Sequence, residues 1–360
     1  MTEQTNVRKN GCVMTIERVR TLFFKHHALS VSSQRMYRSA LRRLSRYQTY
    51  LLAARRVDDE IDMLQWTQKM SDDFVYFLLH ECELCDAHLQ SMRELGGDDG
   101  FKPLKRDRGC AAVNNILSML KSVLRSVLPD GECARHPFLA ISHVENIWVA
   151  PYYISVAERN LLASLNIERV FADKHTRMAY SSHISLRLLR VIRDAFIFQC
   201  YVGCRYADLR RLTEDNICDG MLVYTPQKTC KKGRQARVPV LKAACELIAR
   251  HRDKCKRGTL FQLPNNAIYN IGIKLLFRAA GLTRKVEVLD PQTNCVVLKP
   301  LCDVASSHLA RRTFIGNLYL KVQDPNLIAK MSGHAEGSKA FNRYRKIEDD
   351  TLREVMRHLE

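Results

Sequence analysis

The chain has 360 residues, with 57 Lys and Arg against 38 Asp and Glu, a formal net charge of +19. That length suits two domains of roughly 100–200 residues each, and the excess of base selects a polyanionic partner, nucleic acid first. No stretch approaches the ~20 apolar residues of a membrane span, and the opening MTEQTNVRKNGCVM has no apolar signal core. The 13 cysteines, without a repeating spacing, argue against a disulfide framework and for a reducing, cytoplasmic setting. One CxxC, Cys82 and Cys85, lies in a helical stretch and has no second pair or His partners at zinc spacing, so no metal is expected.

In chain order, residues 1–13 read as a flexible tail. Residues 14–142 read as a helical domain of about four to five helices. Met14 to His27, Ser30 to Leu52, Asp72 to Cys85 and Ala111 to Val127 carry the helical pattern. In the second, Met36, Tyr37, Leu41 and Leu44 are the apolar positions; in the last, Val113, Ile116, Leu117, Leu120, Val123 and Leu124 share a side. Residues 87–109 read as a charged, Gly-containing loop. Arg35, Arg38, Arg42, Arg43, Arg46, Lys121 and Arg125 give this domain basic faces.

Residues 143–152 are the expected linker, and residues 153–360 the second domain. Ile184 to Cys200 is an apolar, buried helix that ends at Gly203, with Arg205 and Asp208 just beyond the turn. Taken alone, Arg205 suits a plain ion pair with Asp208 as well as a functional role. Met221 to Val240 reads as two strands around a polar turn that holds Lys228-Thr229 and Gly233. Lys231 and Lys232 are competitors there, read as phosphate contacts or solvated charges. A further ribbon, residues 285–301, is expected as an exposed insertion without assigned chemistry.

The chain is organised around residues 306–346. Ser306 or Ser307 can cap a helix that His308 opens, and Arg311 and Arg312 follow at i+3 and i+4, on the face of His308. Asp324-Pro325 starts the next helix, as N-cap and first helical residue, and Gly333 stops it ahead of His334. A third helix, from about Ser338, carries Phe341 and Tyr344. These side chains suit a phosphodiester. Arg offers a planar fork to phosphate oxygens, His donates hydrogen bonds or moves protons, and Tyr becomes a nucleophile where cations stabilise the charge. Tyr319 is the rival nucleophile, read as a core residue. The final segment carries Leu352, Val355, Met356 and Leu359 at helical spacing, a face that needs burial in cis or in trans.

His308-x-x-Arg311, Gly333-His334 and Tyr344, with Gly203-x-Arg205-x-x-Asp208-Leu and Lys228-Thr229 upstream, resemble the motif set of the tyrosine recombinases, the phage-integrase family. One departure is the ten-residue step from His334 to Tyr344 (344 − 334), where many members have nine. The resemblance implies a mainly α fold with a small β-sheet: a helical, SAM-like core-binding domain that clamps DNA, and a tyrosine-recombinase catalytic domain. It implies a site-specific recombinase of a mobile element, with Tyr344 forming a 3′-phosphotyrosine. Arg205 and Arg311 would hold the nonbridging oxygens, Lys228 protonate the leaving oxygen, His308 assist proton transfer and His334 hydrogen-bond the phosphate. Asp208 would brace the Arg or His. Neither cofactor nor ATP is implied. The partners implied are double-stranded recombination sites, a homo-tetramer on DNA and accessory DNA-bending proteins. A type IB topoisomerase and a catalytically silent DNA-binding regulator are the alternatives.

Overall fold

Small polar residues write the helix starts of this chain. Thr15, Ser30, Thr67, Ser155, Ser185, Asn265 and Asp324 each accept a backbone N–H from the first turn that follows, satisfying donors that a helix leaves open. The computed structural model describes residues 13–96, 102–172, 184–233, 235–252, 258–319, 321, 322, 324–333 and 356. The chain divides into two units, one of residues 1–148 with 289–296, the other of residues 149–288 with 297–360. No helix among the described residues is long and apolar enough to cross a membrane.

The first unit is helical: α1 Ile16–His26, α2 Val31–Ala53, α3 Gln68–Leu79, α4 Glu81–Asp86, α5 Leu89–Leu95, α6 Cys110–Val127, α7 Asp130–Cys133 and α8 Pro137–Ala140. That is eight among the described residues rather than four to five. The expected Asp72 to Cys85 helix is two, α3 and α4, separated at His80. The expected loop over 87–109 contains α5, whose Met92 is fully buried. A single buried thioether anchors a segment that composition marks as solvent-facing. Met36 is half exposed, so Leu41 and Leu44 carry the inner face of α2. The core is aromatic, with Tyr47 5.2 Å from Phe74 and Trp66 5.2 Å from Phe138 between ring centres.

The basic face is smaller than composition implies. Glu81 is fully buried, and Arg46 reaches its Oε1 at 2.5 Å while Arg108 donates to Oε2. A buried carboxylate needs such partners. Lys121 donates to the Ile141 carbonyl. Arg46 and Lys121 therefore serve the interior, and Arg35, Arg38, Arg42 and Arg125 remain exposed. Cys85 lies in the core and burial pushes its thiol up to about 12; the Cys82 thiol, pushed up to about 11 by burial and then by Asp107, donates to the Leu104 carbonyl at 3.4 Å.

The second unit comprises α9 Val156–Ala163, α10 Ile167–Ala172, α11 Leu186–Val202, α12 Tyr206–Leu209, α13 Lys242–Ala249, α14 Asn266–Ala279, α15 Leu301–Val304, α16 Ser307–Tyr319 and α17 Pro325–Ser332. Strands β1 Ile217–Cys218, β2 Met221–Tyr224 and β3 Ala236–Pro239 form an antiparallel sheet in that order, and β4 Lys285–Leu289 pairs with β5 Val296–Pro300 as the expected ribbon. Leu222 faces Val238 and Tyr224 faces Ala236, and all four are buried. Helix α11 runs through the middle of the core, with Ile192, Phe196 and Phe198 buried. It also carries a buried carboxylate, Asp194, which accepts from Arg193 Nε at 2.8 Å and pairs with His251 Nε2 at 2.9 Å. Burial alone would raise that carboxyl, but the two partners hold it below its ordinary value.

Candidate active site

The site grows from the C-terminus of α11. Gly203 ends that helix at φ 66°, a left-handed conformation, and a Cβ there would lie 2.4 Å from Cδ1 of Phe314. Only glycine meets both conditions. The carbonyl of Gly203 accepts a 2.7 Å hydrogen bond from Nη1 of Arg311, which is 1% exposed. Two segments more than a hundred residues apart are thus joined at the residues that carry the guanidinium chemistry. Arg205 follows at the start of α12, and its buried Nη1 has no hydrogen-bond partner among the described residues.

Helix α16 is anchored at its start by α14. The Ser307 N–H donates to Asn270 Oδ1 at 2.8 Å, and the Ser307 hydroxyl meets Asn266 Oδ1 at 3.2 Å. Its middle is tied by the Ile154 N–H, which donates to Thr313 Oγ1 at 3.3 Å. With its start and middle tied, α16 places Arg311 inward and His308 toward solvent. Burial of the imidazole, then the cations Arg312, Arg311, Arg205 and Lys228, push His308 down to about 4. The residue remains solvent-accessible, and the four cations all act in the same direction. His308 is therefore a neutral imidazole at pH 7, ringed by positive charge.

Lys228 is exposed, on a 3-10 turn, Gln227–Lys232, that joins β2 to β3. What holds this turn is its base. The Gln227 N–H donates to Oδ1 of the buried Asp208 at 2.8 Å. Gly333, at φ 67° after α17, packs so closely that a Cβ would lie 2.8 Å from Cγ of Pro226. Asp208, expected to brace an Arg or His, thus holds the backbone beside Lys228. The sequence reading of Asp324 as cap, Pro325 at the first helical position and Gly333 as left-handed stop is matched in full.

Arg205, Lys228, His308 and Arg311 come together, while His334, Tyr344 and the final helix lie outside the described residues. Tyr319 is the last residue of α16 and is partly buried against the core. Sequence reasoning missed Tyr152, whose ring lies 4.9 Å from the Arg312 guanidinium and whose hydroxyl donates to the Val304 carbonyl at 3.1 Å. It also missed Asn266 and Asn270. Their signal is an Asn at each of two positions four apart on one helix, legible only once its neighbour is known. Among the described residues, no three His, Cys, Asp or Glu side chains gather as a metal site.

The model of the phage integrase family matches residues 166–350, more than half of the chain, and the chain belongs to that family. It is a tyrosine recombinase, an enzyme that breaks and rejoins DNA. The fold is similar to that of a lambda integrase dimer bound to a COC′ core site, at TM-score 0.54 and 13% identity over 92% of this chain and 76% of the other. It is similar to the Tn1549 transposon integrase in complex with a circular intermediate DNA, at TM-score 0.59 and 13% identity over 96% and 100%. A lambda integrase tetramer bound to a Holliday junction gives TM-score 0.56 and 14% identity over 93% and 78%. Among curated proteins none matches.

Proposed function

We propose that this chain integrates and excises a mobile DNA element by site-specific strand exchange through a 3′-phosphotyrosine at Tyr344. The observation that carries this reading is the ring of Arg205, Lys228, Arg311 and Arg312 around a neutral His308. Four cations from three separate segments, the charges that weigh most on the imidazole, suit an anion with several oxygens. Nη1 of Arg205, unpartnered among the described residues, is a donor suited to such an oxygen.

In this reading the Tyr344 oxygen forms a bond to phosphorus as the bond to the 5′ oxygen breaks. Arg205 and Arg311 hold the nonbridging oxygens. Lys228 gives its proton to the leaving 5′ oxygen. His308, neutral, takes the tyrosine proton or relays it, and His334 hydrogen-bonds the phosphate. Attack by a 5′-hydroxyl of the partner duplex reverses the step. The phosphotyrosine conserves the bond energy, so neither ATP nor a metal is required. The exposed Arg35, Arg38, Arg42 and Arg125 of the first unit support a DNA-clamping role for it, with unit bounds near 14–142 and 153–360. Lambda integrase, as a dimer on a core site and a tetramer on a Holliday junction, supports a tetramer on two duplexes; DNA-bending accessory proteins and action in the cytoplasm belong to the same proposal.

The test is a nicked suicide duplex, incubated with the protein in EDTA without nucleotide, then with a partner duplex. The expected result is a covalent protein–DNA adduct, followed by strand transfer into the partner. Relaxation of a single supercoiled circle without transfer supports a topoisomerase instead, and binding without an adduct supports a regulator.

A further inference from the structure

Tyr224 ends β2 and is 6% exposed, with its hydroxyl lacking any hydrogen-bond partner among the described residues. Burial, reinforced by the neighbouring Cys204 thiol, pushes the phenol above its ordinary range, so the hydroxyl remains a donor near neutral pH. Asp208 is 4% exposed and its Oδ2 also lacks a partner. Buried polar atoms left alone are costly, and two in one place call for a common cause. Both residues line one cavity of about 150 Å³, together with Arg211, Leu212, Asn216 and Thr225. A cavity of that size with polar walls is roomy enough for water. A phenolic O–H and a carboxylate oxygen are complementary across such a water. The other oxygen of Asp208 holds the Gln227 N–H at 2.8 Å, one residue before Lys228.

We propose that Tyr224 is a positioning residue for strand cleavage: through the cavity it shares with Asp208, it fixes the carboxylate that holds Gln227 and so sets where Lys228 stands. The inference rests on the recombinase reading, in which Lys228 protonates the 5′ oxygen. Tyr224 touches neither the phosphate nor the leaving group. Its hydroxyl orients Asp208, Asp208 holds the backbone, and the backbone delivers the ammonium. Tyr224 is on the strand just before the turn, so the turn is fixed from both its chain neighbour and the Arg205 helix.

A leaving group that needs no proton separates this role from general loss of structure. Sulfur in place of the bridging 5′ oxygen departs as a thiolate, its thiol pKa being far below that of an alcohol. On an ordinary suicide duplex, Tyr224→Phe should cleave about tenfold slower in single turnover, the scale of one lost hydrogen bond, with DNA Kd unchanged. On the same duplex with a 5′-bridging phosphorothiolate, variant and unsubstituted protein should cleave within about twofold of each other. Asp208→Asn should show the same rescue, and the double variant should be no slower than Asp208→Asn alone, as expected of residues acting in series. Asp208→Asn carries the test by itself if the phenyl variant is unstable. Unimpaired cleavage of the ordinary duplex by Tyr224→Phe overturns the proposal, as does an equal deficit on both duplexes or additive effects in the double variant. If the unsubstituted protein cleaves neither duplex, the recombinase reading itself fails.

Discussion

Arg311 and Lys228 bring positive charge to the same imidazole, and the protein holds them in opposite ways. Arg311 is 1% exposed, bonded to the Gly203 carbonyl, on a helix tied at Ser307 and Thr313. Lys228 is exposed, and the contacts that fix its turn fall on Pro226 and Gln227, not on the lysine. A group that must bind developing charge throughout the reaction gains from a fixed position in a dry setting. A group that must deliver a proton to one oxygen gains from reach, with its base held and its tip free. Under the proposed roles, the difference teaches which changes should act on binding geometry and which on proton delivery alone.

The largest expected effect is at the fixed site. Arg311→Lys should lower single-turnover cleavage about 10²–10³-fold, the usual loss for one oxyanion-type donor, because an ammonium cannot bond two phosphate oxygens and the Gly203 carbonyl together. Arg312→Lys, over the Tyr152 ring, should cost far less. If Arg312 proves the sensitive position, the division of labour on α16 is inverted.

Next is the hinge of that site. Gly203→Ala combines a left-handed backbone with a Cβ 2.4 Å from the Phe314 ring, an expected loss of about 2–4 kcal/mol. Calorimetry should show Tm lower by roughly 4–16 °C. An unchanged Tm would mean that Phe314 does not lock the Arg205 turn. Gly333→Ala should be milder, about 1–3 kcal/mol, because the new methyl meets the edge of the Pro226 ring at 2.8 Å rather than the Phe314 ring at 2.4 Å. Cleavage should fall on an ordinary duplex and recover on the phosphorothiolate, since the damage reaches Lys228 and spares the arginines. A Gly333→Ala defect without that recovery breaks the comparison.

The smallest effect concerns protons. His308 is held at about 4 in the folded protein, below its ordinary value near 6.5. Between those values the unfolded chain binds the proton and the folded chain does not, so this residue's contribution to stability is present above pH 6.5 and is lost as pH falls toward 4. An NMR titration of the DNA-free protein should give a His308 midpoint well below 6.5, and His308→Gln should flatten stability across that window. A midpoint near 6.5 would show that the cations do not press on the ring.

The pieces legible in the sequence are those that backbone chemistry dictates. Gly203 and Gly333 mark helix stops and Asp324-Pro325 a helix start, because few other residues serve there. The ring of Arg205, Lys228, His308 and Arg311 was legible as a motif set. What was not legible depends on a distant partner. Helix α5 hides in a charged stretch because Met92 is its one buried residue and only Leu89 packs beside it. Arg46 looks like a DNA contact until the buried Glu81 is seen beside it. Asp208 reads in the sequence as a brace for an Arg or His, but its partner is a backbone N–H nineteen residues away, which side-chain pattern does not encode. Tyr224 reads as an ordinary inward strand residue because its unpaired hydroxyl is a property of the packed fold.

The central claim is that this ring of cations serves a tyrosine that attacks phosphorus, and the most direct measurement is the identity of the residue bonded to DNA. The adduct from a suicide duplex, digested and sequenced by mass spectrometry, should carry the nucleotide on Tyr344, and Tyr344→Phe should bind the duplex yet form no adduct. An adduct on Tyr319, or one that persists in Tyr344→Phe, contradicts the account.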